Sequence, residues 1–323
     1  MGELNTSRAY EGKGPAPDAP DDPQRQDYLP SPGAVEAVRL MRFLGRRPLL
    51  IKGDPGAGKT QLAHAVAGEL GLRLLVWPVK STSRARDGLY VYNAVRRLHD
   101  AQLAHHSGVQ VTPPTTLDDY VRQGYIRFGP LGEAFRRSAQ GEQTVVLIDE
   151  IDKADIDFPN DLLLELDEGW FEIEEIEGTA NEKRVTAHRK RLPLIFITSN
   201  DERDLPDAFL RRCLFLHIPF PDPYEMAQIV DLHFPDAGGR LLEQAVLRFM
   251  ELRLDMDSKN KGTGKKVTTS ELLDWFKILQ NVPEDEVLPQ LDGRLPYAQA
   301  LLKSYDDYAE YRDKQAAKDG SGR

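Results

Sequence analysis

The chain has 323 residues, 40% of them hydrophobic, with one cysteine and a formal net charge of -10 from 42 Lys and Arg against 52 Asp and Glu. That length holds one large domain or two modest ones; the lone Cys213 excludes an intrachain disulfide and fits a reducing compartment; and the acidic balance argues against a dedicated binder of duplex nucleic acid. Residues 1–8 lack the apolar core of a signal peptide, and the apolar runs at 145–148 and 194–197 are too short to span a bilayer, so the expectation is a soluble cytoplasmic protein with no membrane partner.

Residues 1–33 are rich in Pro, Asp, Gly and Gln with almost no apolar pattern. Such a segment buries too little surface to offset its ordering entropy, which predicts a flexible arm whose end, at Tyr28, Leu29 and Pro30, is the part able to dock. Val35, Val38, Leu40, Met41 and Leu44 then follow helical spacing, and Pro48 breaks the chain before a first strand.

That strand, Leu49-Leu50-Ile51, leads into Gly53-Asp54-Pro55-Gly56-Ala57-Gly58-Lys59-Thr60, which matches G-x-x-x-x-G-K-[ST], and from Gln61 the pattern is helical. The chemistry needs these residue types. Glycines let the backbone turn tightly and aim its N–H groups at phosphate oxygens. Lys59 reaches the β- and γ-phosphates, the Thr60 hydroxyl ligates Mg²⁺, and the following helix offers its positive end to the anion. A glycine-rich turn with a chance Lys-Thr is the plainer reading, but strand, loop and helix fall in the required order. The chain is expected to bind a nucleoside triphosphate.

A second buried strand is predicted over 72–79, then a less regular stretch from 80 to 135 with helical starts near Tyr92 and Leu117. The run TVVLID over 144–149 suits a strand buried on both faces. A Leu-rich helix over 160–167, an alternating charged hairpin over 170–192, and strands over 194–198 and 214–218 follow. Strands alternating with helices predict a parallel α/β sheet. From Pro221 onward the spacing is helical, with segments over 222–233, 239–254, 269–280 and 295–314, a basic glycine-containing loop at 258–266 and a polar tail at 315–323.

Asp149, closing an aliphatic strand, is what a P-loop enzyme uses to hold Mg²⁺, and Glu150 beside it can orient and activate the attacking water. Following a P-loop, this pair favours hydrolysis over mere binding. Asn200 also closes a buried strand; a turn-forming Asn and an amide directed at the γ-phosphate or the attacking water stand level on sequence alone. Arg211 and Arg212 precede the last strand, where a surface arginine at a helix end is the plainer reading.

Together these motifs resemble the AAA+ ATPases. The succession GDPGAGKT, VVLIDEID, IFITSN, LRRC and a helical lid covers about residues 34–310, and GPLGEAF, DFPNDLLLELDEGWFEI and DLPDAFLRRCLFLHIPFPD are similar to the MoxR family. The resemblance implies an α/β P-loop domain over 34–220 with a parallel sheet in the order 5-1-4-3-2 flanked by helices, inserts near 80–135 and 170–192, a small all-α lid over 221–314 closing over ATP, and a homo-hexameric ring. By position it makes Lys59 and Thr60 the Walker A pair, Asp149 and Glu150 the Walker B pair, Asn200 sensor 1, and Arg212 the arginine acting on a neighbour's nucleotide, with Arg211 as runner-up. One departure stands out. Where the family places a sensor 2 arginine, this chain has Thr268 and Glu271, which fit a capping box; Lys265 and Lys266 lie in what reads as a solvated basic loop.

The histidines, His105 and His106 included, show no metal-ligand spacing, so Mg²⁺ is the metal expected. Tyr90 and Tyr92 pack the first insert, with a pore-facing role as the less favoured reading. The function implied is an ATP-driven motor that remodels or activates a partner complex together with a protein carrying a von Willebrand A domain. The alternative is the NTPase ring of a nucleic-acid-directed defence or restriction system, for which Lys183, Arg184, Arg189, Lys190 and Arg191 in the hairpin count modestly.

Overall fold

The computed structural model describes residues 9–107, 113–260, 266–291, 295–305, 308–309 and 311–312. The expected tail at 315–323, Lys265 and the side chains of His105 and His106 fall outside these residues. The chain forms two units: one comprises residues 1–26, 30–53 and 59–217, and the other comprises 27–29, 54–58 and 218–323. Among the described residues no helix is long and apolar enough to cross a membrane.

The first unit is built on the aliphatic runs. Helix α1 (Pro32–Leu44) starts at Ser31, whose hydroxyl accepts from the Ala34 N–H, and stops at Gly45 in the left-handed region at φ 75°. Strand β1 (Leu49–Gly53) follows, then helix α2 (Lys59–Leu70) and β2 (Arg73–Pro78). After the short strands β3 (Tyr90–Tyr92) and β4 (Ile126–Phe128) come β5 (Thr144–Asp149), β6 (Trp170–Glu172), β7 (Arg184–Thr186), β8 (Leu194–Ser199) and β9 (Leu214–Ile218). Five of these make one sheet in the order β2-β5-β8-β1-β9. Counting those five alone and reading from the β9 edge, the order is the expected 5-1-4-3-2. The β2–β5, β5–β8 and β1–β8 pairs are parallel. Every residue of β8 and all but the last of β5 are buried, as strands covered on both faces require.

The N-terminal segment departs from a flexible arm. Residues 9–26 contain no helix or strand, yet residues 11–26 are tied along α2. Tyr10 is fully buried and its carbonyl accepts from Arg39 Nε. The Glu11 and Lys13 N–H groups donate to the Glu69 carboxylate at 2.6 and 2.9 Å. Ala16 N–H reaches the Gly68 carbonyl at 3.0 Å. Further along, His64 Nδ1 lies 2.6 Å from Asp22 Oδ2, and Gln61 bonds to both Gln24 and Gln26. Polar side chains of α2 thus satisfy backbone groups that the composition alone assigns to water.

Both expected inserts contain two-stranded antiparallel ribbons, β3–β4 and β6–β7. Tyr90 is 2% exposed and joins them, which supports the packing reading over a pore-facing one. Its ring stacks on Phe171 at 6.0 Å between centroids. Its hydroxyl donates to Glu175 Oε2 at 2.9 Å and accepts from the Glu174 N–H at 3.0 Å and from Arg86 Nη2 at 2.9 Å. Burial, above all, raises the phenol's pKa and keeps it protonated as that donor. Tyr90→Phe leaves these partners without the hydroxyl and is expected to cost about 1–3 kcal/mol, read as a lower denaturation midpoint at unchanged slope. An unchanged midpoint would remove the hydroxyl from any structural role.

The second unit contains helices Pro223–His233, Gly239–Asn260, Thr269–Leu279 and Glu284–Leu291. Asp222 caps the first by accepting from the Tyr224 and Glu225 N–H groups, with Pro223 in the first turn. Trp275, Phe249 and Phe276 are fully buried in its core, and Trp275 Nε1 donates to the Pro296 carbonyl at 2.6 Å. The expected helix over 295–314 is not the fourth element. Pro296 and Tyr297, the latter left-handed at φ 56°, leave a short 3-10 turn at Ala298–Ala300, and the backbone is helical only further on, at 305, 308–309 and 311–312, while 306–307, 310 and 313–314 lie outside the described residues. The acidic start Glu284-Asp285-Glu286 after Pro283 opens a helix where none was expected.

Candidate functional site

The loop between β1 and α2 has the backbone its glycines suggest. Gly53, Gly56 and Gly58 take φ of 150°, 77° and 86°. At Gly56 a Cβ would stand 2.4 Å from Thr268 Cβ, so only glycine fits there. Lys59 and Thr60 open α2. The Lys59 side chain curls back, donating to the Gly53 carbonyl at 2.8 Å, and the residue is 7% exposed.

Asp149 closes β5. Its Oδ1 accepts from Thr60 Oγ1 at 2.9 Å and from Thr198 Oγ1 at 2.7 Å. The Thr198 hydroxyl in turn accepts the Glu150 N–H at 2.8 Å, tying β8 to the end of β5. Glu150 sits in the left-handed region at φ 58°, which turns its side chain out of the strand. One carboxylate oxygen takes the Asn200 amide at 3.2 Å and the other pairs with Lys153 Nζ. That bond, above all, raises the pKa of the Lys153 ammonium. A single carboxylate and a hydroxyl at hydrogen-bond distance are hard oxygen donors, the set that suits Mg²⁺, which completes its shell with water and phosphate oxygens.

Thr60, Asp149, Glu150 and Asn200 are therefore brought together, with Lys59 next to Thr60. Arg211 and Arg212 are not in this group. Arg212 Nε pairs with Asp167 Oδ2 at 2.5 Å and its Nη1 donates to the Ala208 carbonyl at 2.9 Å. Arg211 ends the short helix Asp207–Leu210, with an exposed side chain and a carbonyl that accepts from Arg47.

Several residues escaped sequence reading. Asp152 is 2% exposed and its Oδ2 accepts the N–H groups of Asn200 and Glu202 at 3.0 and 2.9 Å. Asp152, Lys153 and Thr198 lie inside the strings DEIDK and ITSN, but spacing alone says nothing of which neighbour each one serves. In the second unit, which includes 54–58, Arg253 is 7% exposed, lies 3.4 Å from the Phe220 ring centroid and pairs with Asp54 of the glycine loop at 2.9 Å. A charged residue between Phe249 and Met256, both buried, on a long helix was its one signal. Thr268 and Glu271 do form the expected cap, with Thr268 N–H donating to Glu271 at 2.8 Å. Lys266 pairs with Asp257 at 2.7 Å.

The sequence model of the ATPase family associated with various cellular activities (AAA) matches residues 49–221, from the start of β1 to just past β9 and more than half of the chain. None of the curated proteins matches it. The five-stranded order, the α/β layering and the following all-α unit are those of an AAA+ fold, and membership carries nucleoside triphosphatase activity with it. The chain belongs to the AAA family of ATPases.

Proposed function

We propose that this protein is a Mg²⁺-dependent ATPase of the MoxR kind that remodels or activates a partner protein complex, acting as a ring in the cytoplasm together with a von Willebrand A-domain protein. The observation that carries the reading is the meeting of Thr60, Asp149, Glu150 and Asn200 at the ends of β5 and β8 beside a glycine loop. Residues 53–61 are assigned to the triphosphate, with backbone N–H groups and the Lys59 ammonium supplying positive charge. Thr60 and Asp149 would hold Mg²⁺, which when bound neutralises charge on the phosphates. Glu150 orients and activates water, and Asn200 fixes the Glu150 carboxylate. The MoxR assignment rests on the similar strings around β5 and β9 and on the two ribbon inserts.

For the nucleic-acid alternative, the hairpin offers less than its composition promises. Arg191 is 8% exposed, and Arg184 is held by Glu172 and the Trp170 ring. The basic set therefore loses two of its five members to internal contacts.

Arg212 is assigned to a neighbour's site, with Asp167 and the Ala208 carbonyl orienting it. Arg212→Ala is expected to retain assembly and nucleotide affinity while losing about 10³-fold in turnover. Rings mixed from Arg212→Ala and Glu150→Gln subunits should recover part of the activity, because an intact site can form where two subunits meet. No recovery would count against action in trans, and the same loss in Arg211→Ala alone would move the role by one residue. Affinity capture with ATP-loaded Glu150→Gln, read by mass spectrometry, tests the partner class: a von Willebrand A-domain protein supports the reading, a nuclease subunit overturns it.

A further inference from the structure

We infer that Asp152 is a positioning residue for hydrolysis: its buried carboxylate pins the turn that carries Asn200 and so sets the Asn200 amide against Glu150. This rests on the proposed role of Glu150 as the group that activates water.

The turn itself is unusual. Asp201 is left-handed at φ 59°, so the N–H groups of its two neighbours, Asn200 and Glu202, converge on one point. Such a pair forms a small anion-binding concavity, and the anion it holds is Asp152 Oδ2, at 3.0 and 2.9 Å. Lys52 on β1 pairs with Asp201 and steadies the turn from another direction. Asp152 lies two residues beyond Glu150, in the 3-10 turn Ile151–Lys153. One turn of chain therefore bears both the carboxylate that Asn200 touches and the carboxylate that anchors Asn200. The distance between the Asn200 amide and Glu150 is fixed by this short circuit, not by the packing of β5 on β8 alone.

Stability gives little reason for this choice. Asp152 Oδ1 is buried without a hydrogen-bond partner, and a buried carboxylate with an unused oxygen is costly. Placing an amide to within a fraction of an ångström does give a reason, since a misplacement of about 1 Å can cost about a hundredfold in rate.

The test compares Asp152→Ala, the isosteric Asp152→Asn, Asn200→Ala and the Asp152→Ala/Asn200→Ala pair, using amide exchange in the nucleotide-free protein, affinity for a fluorescent ATP analogue, and turnover. In Asp152→Ala the Asn200 and Glu202 amides should exchange at least about tenfold faster while the β5 and β8 amides keep their protection. Affinity should stay within about threefold and kcat should fall about ten- to a hundredfold. The double variant should lose no more than Asn200→Ala alone, since both act through one amide. Asp152→Asn, which keeps one acceptor oxygen, should retain part of the protection and of the rate, and it decides the matter should the alanine variant not fold. Unchanged exchange at Asn200 and Glu202, or losses that multiply in the double variant, overturn the inference. A wild-type protein that binds ATP and hydrolyses none would instead overturn the reading of Glu150, while the exchange measurement still judges the pin.

Discussion

Lys59→Ala is expected to weaken nucleotide binding by at least about thirtyfold while leaving the fold intact. Lys59 is 7% exposed, and its ammonium donates to the Gly53 carbonyl at 2.8 Å. Lys59 is the one charged residue in the first turn of α2, Lys59-Thr60-Gln61-Leu62. Removing one partner of a buried charged contact costs about 2–5 kcal/mol, a loss of roughly thirtyfold to several thousandfold in affinity. The fold should tolerate the change, because the β1–β8 ladder and the α2 core, with Leu62, Ala63 and Val66 fully buried, do not involve the ammonium. Titration calorimetry with Mg-ATP reads the affinity directly, alongside the unfolding midpoint. Binding within a few-fold of wild type in a folded variant would sink the assignment of residues 53–61 to the triphosphate.

Glu150→Gln should do the reverse, holding ATP and failing to turn it over. The amide keeps the size of the side chain and can still accept from Asn200, but it can no longer take a proton from water. The loss expected for removing a positioned general base is about 10²–10⁴-fold in kcat, with affinity unchanged. The backbone at this residue makes the point sharper. Glu150 is left-handed at φ 58° and its N–H is tied to the Thr198 hydroxyl, so the side chain projects from a constrained and costly conformation that packing alone would not select.

The legible parts of this molecule are those where local pattern and final structure coincide. The β5 and β8 runs read as strands buried on both faces because nearly all of their residues are buried, and the loop at 53–58 was visible because glycine is required by backbone geometry and not by neighbours. The strand order also follows from the alternation of elements once the family resemblance is granted. The N-terminal segment is the opposite case. Glu69, His64 and Gln61 read as an ordinary polar face of α2, and only the fold reveals that they receive the Asp22 carboxylate and the backbone of residues 11–26. Asp152 was hidden for a related reason: its partners are backbone amides about fifty positions away, and no side-chain pattern encodes them. Arg212 shows how far position alone carries. Sequence order placed it before β9, but not the ion pair with Asp167 that fixes where it points.

Phosphate release from saturating Mg-ATP reads out whether Thr60, Asp149, Glu150 and Asn200 together hydrolyse the nucleotide. Wild-type and Glu150→Gln proteins are compared after both are shown by calorimetry to be loaded. The wild type should release phosphate steadily and stop when the metal is chelated, and the variant should be slower by about a hundredfold or more. Equal rates in the two loaded proteins, or release by the wild type that persists without divalent metal, would contradict that assignment.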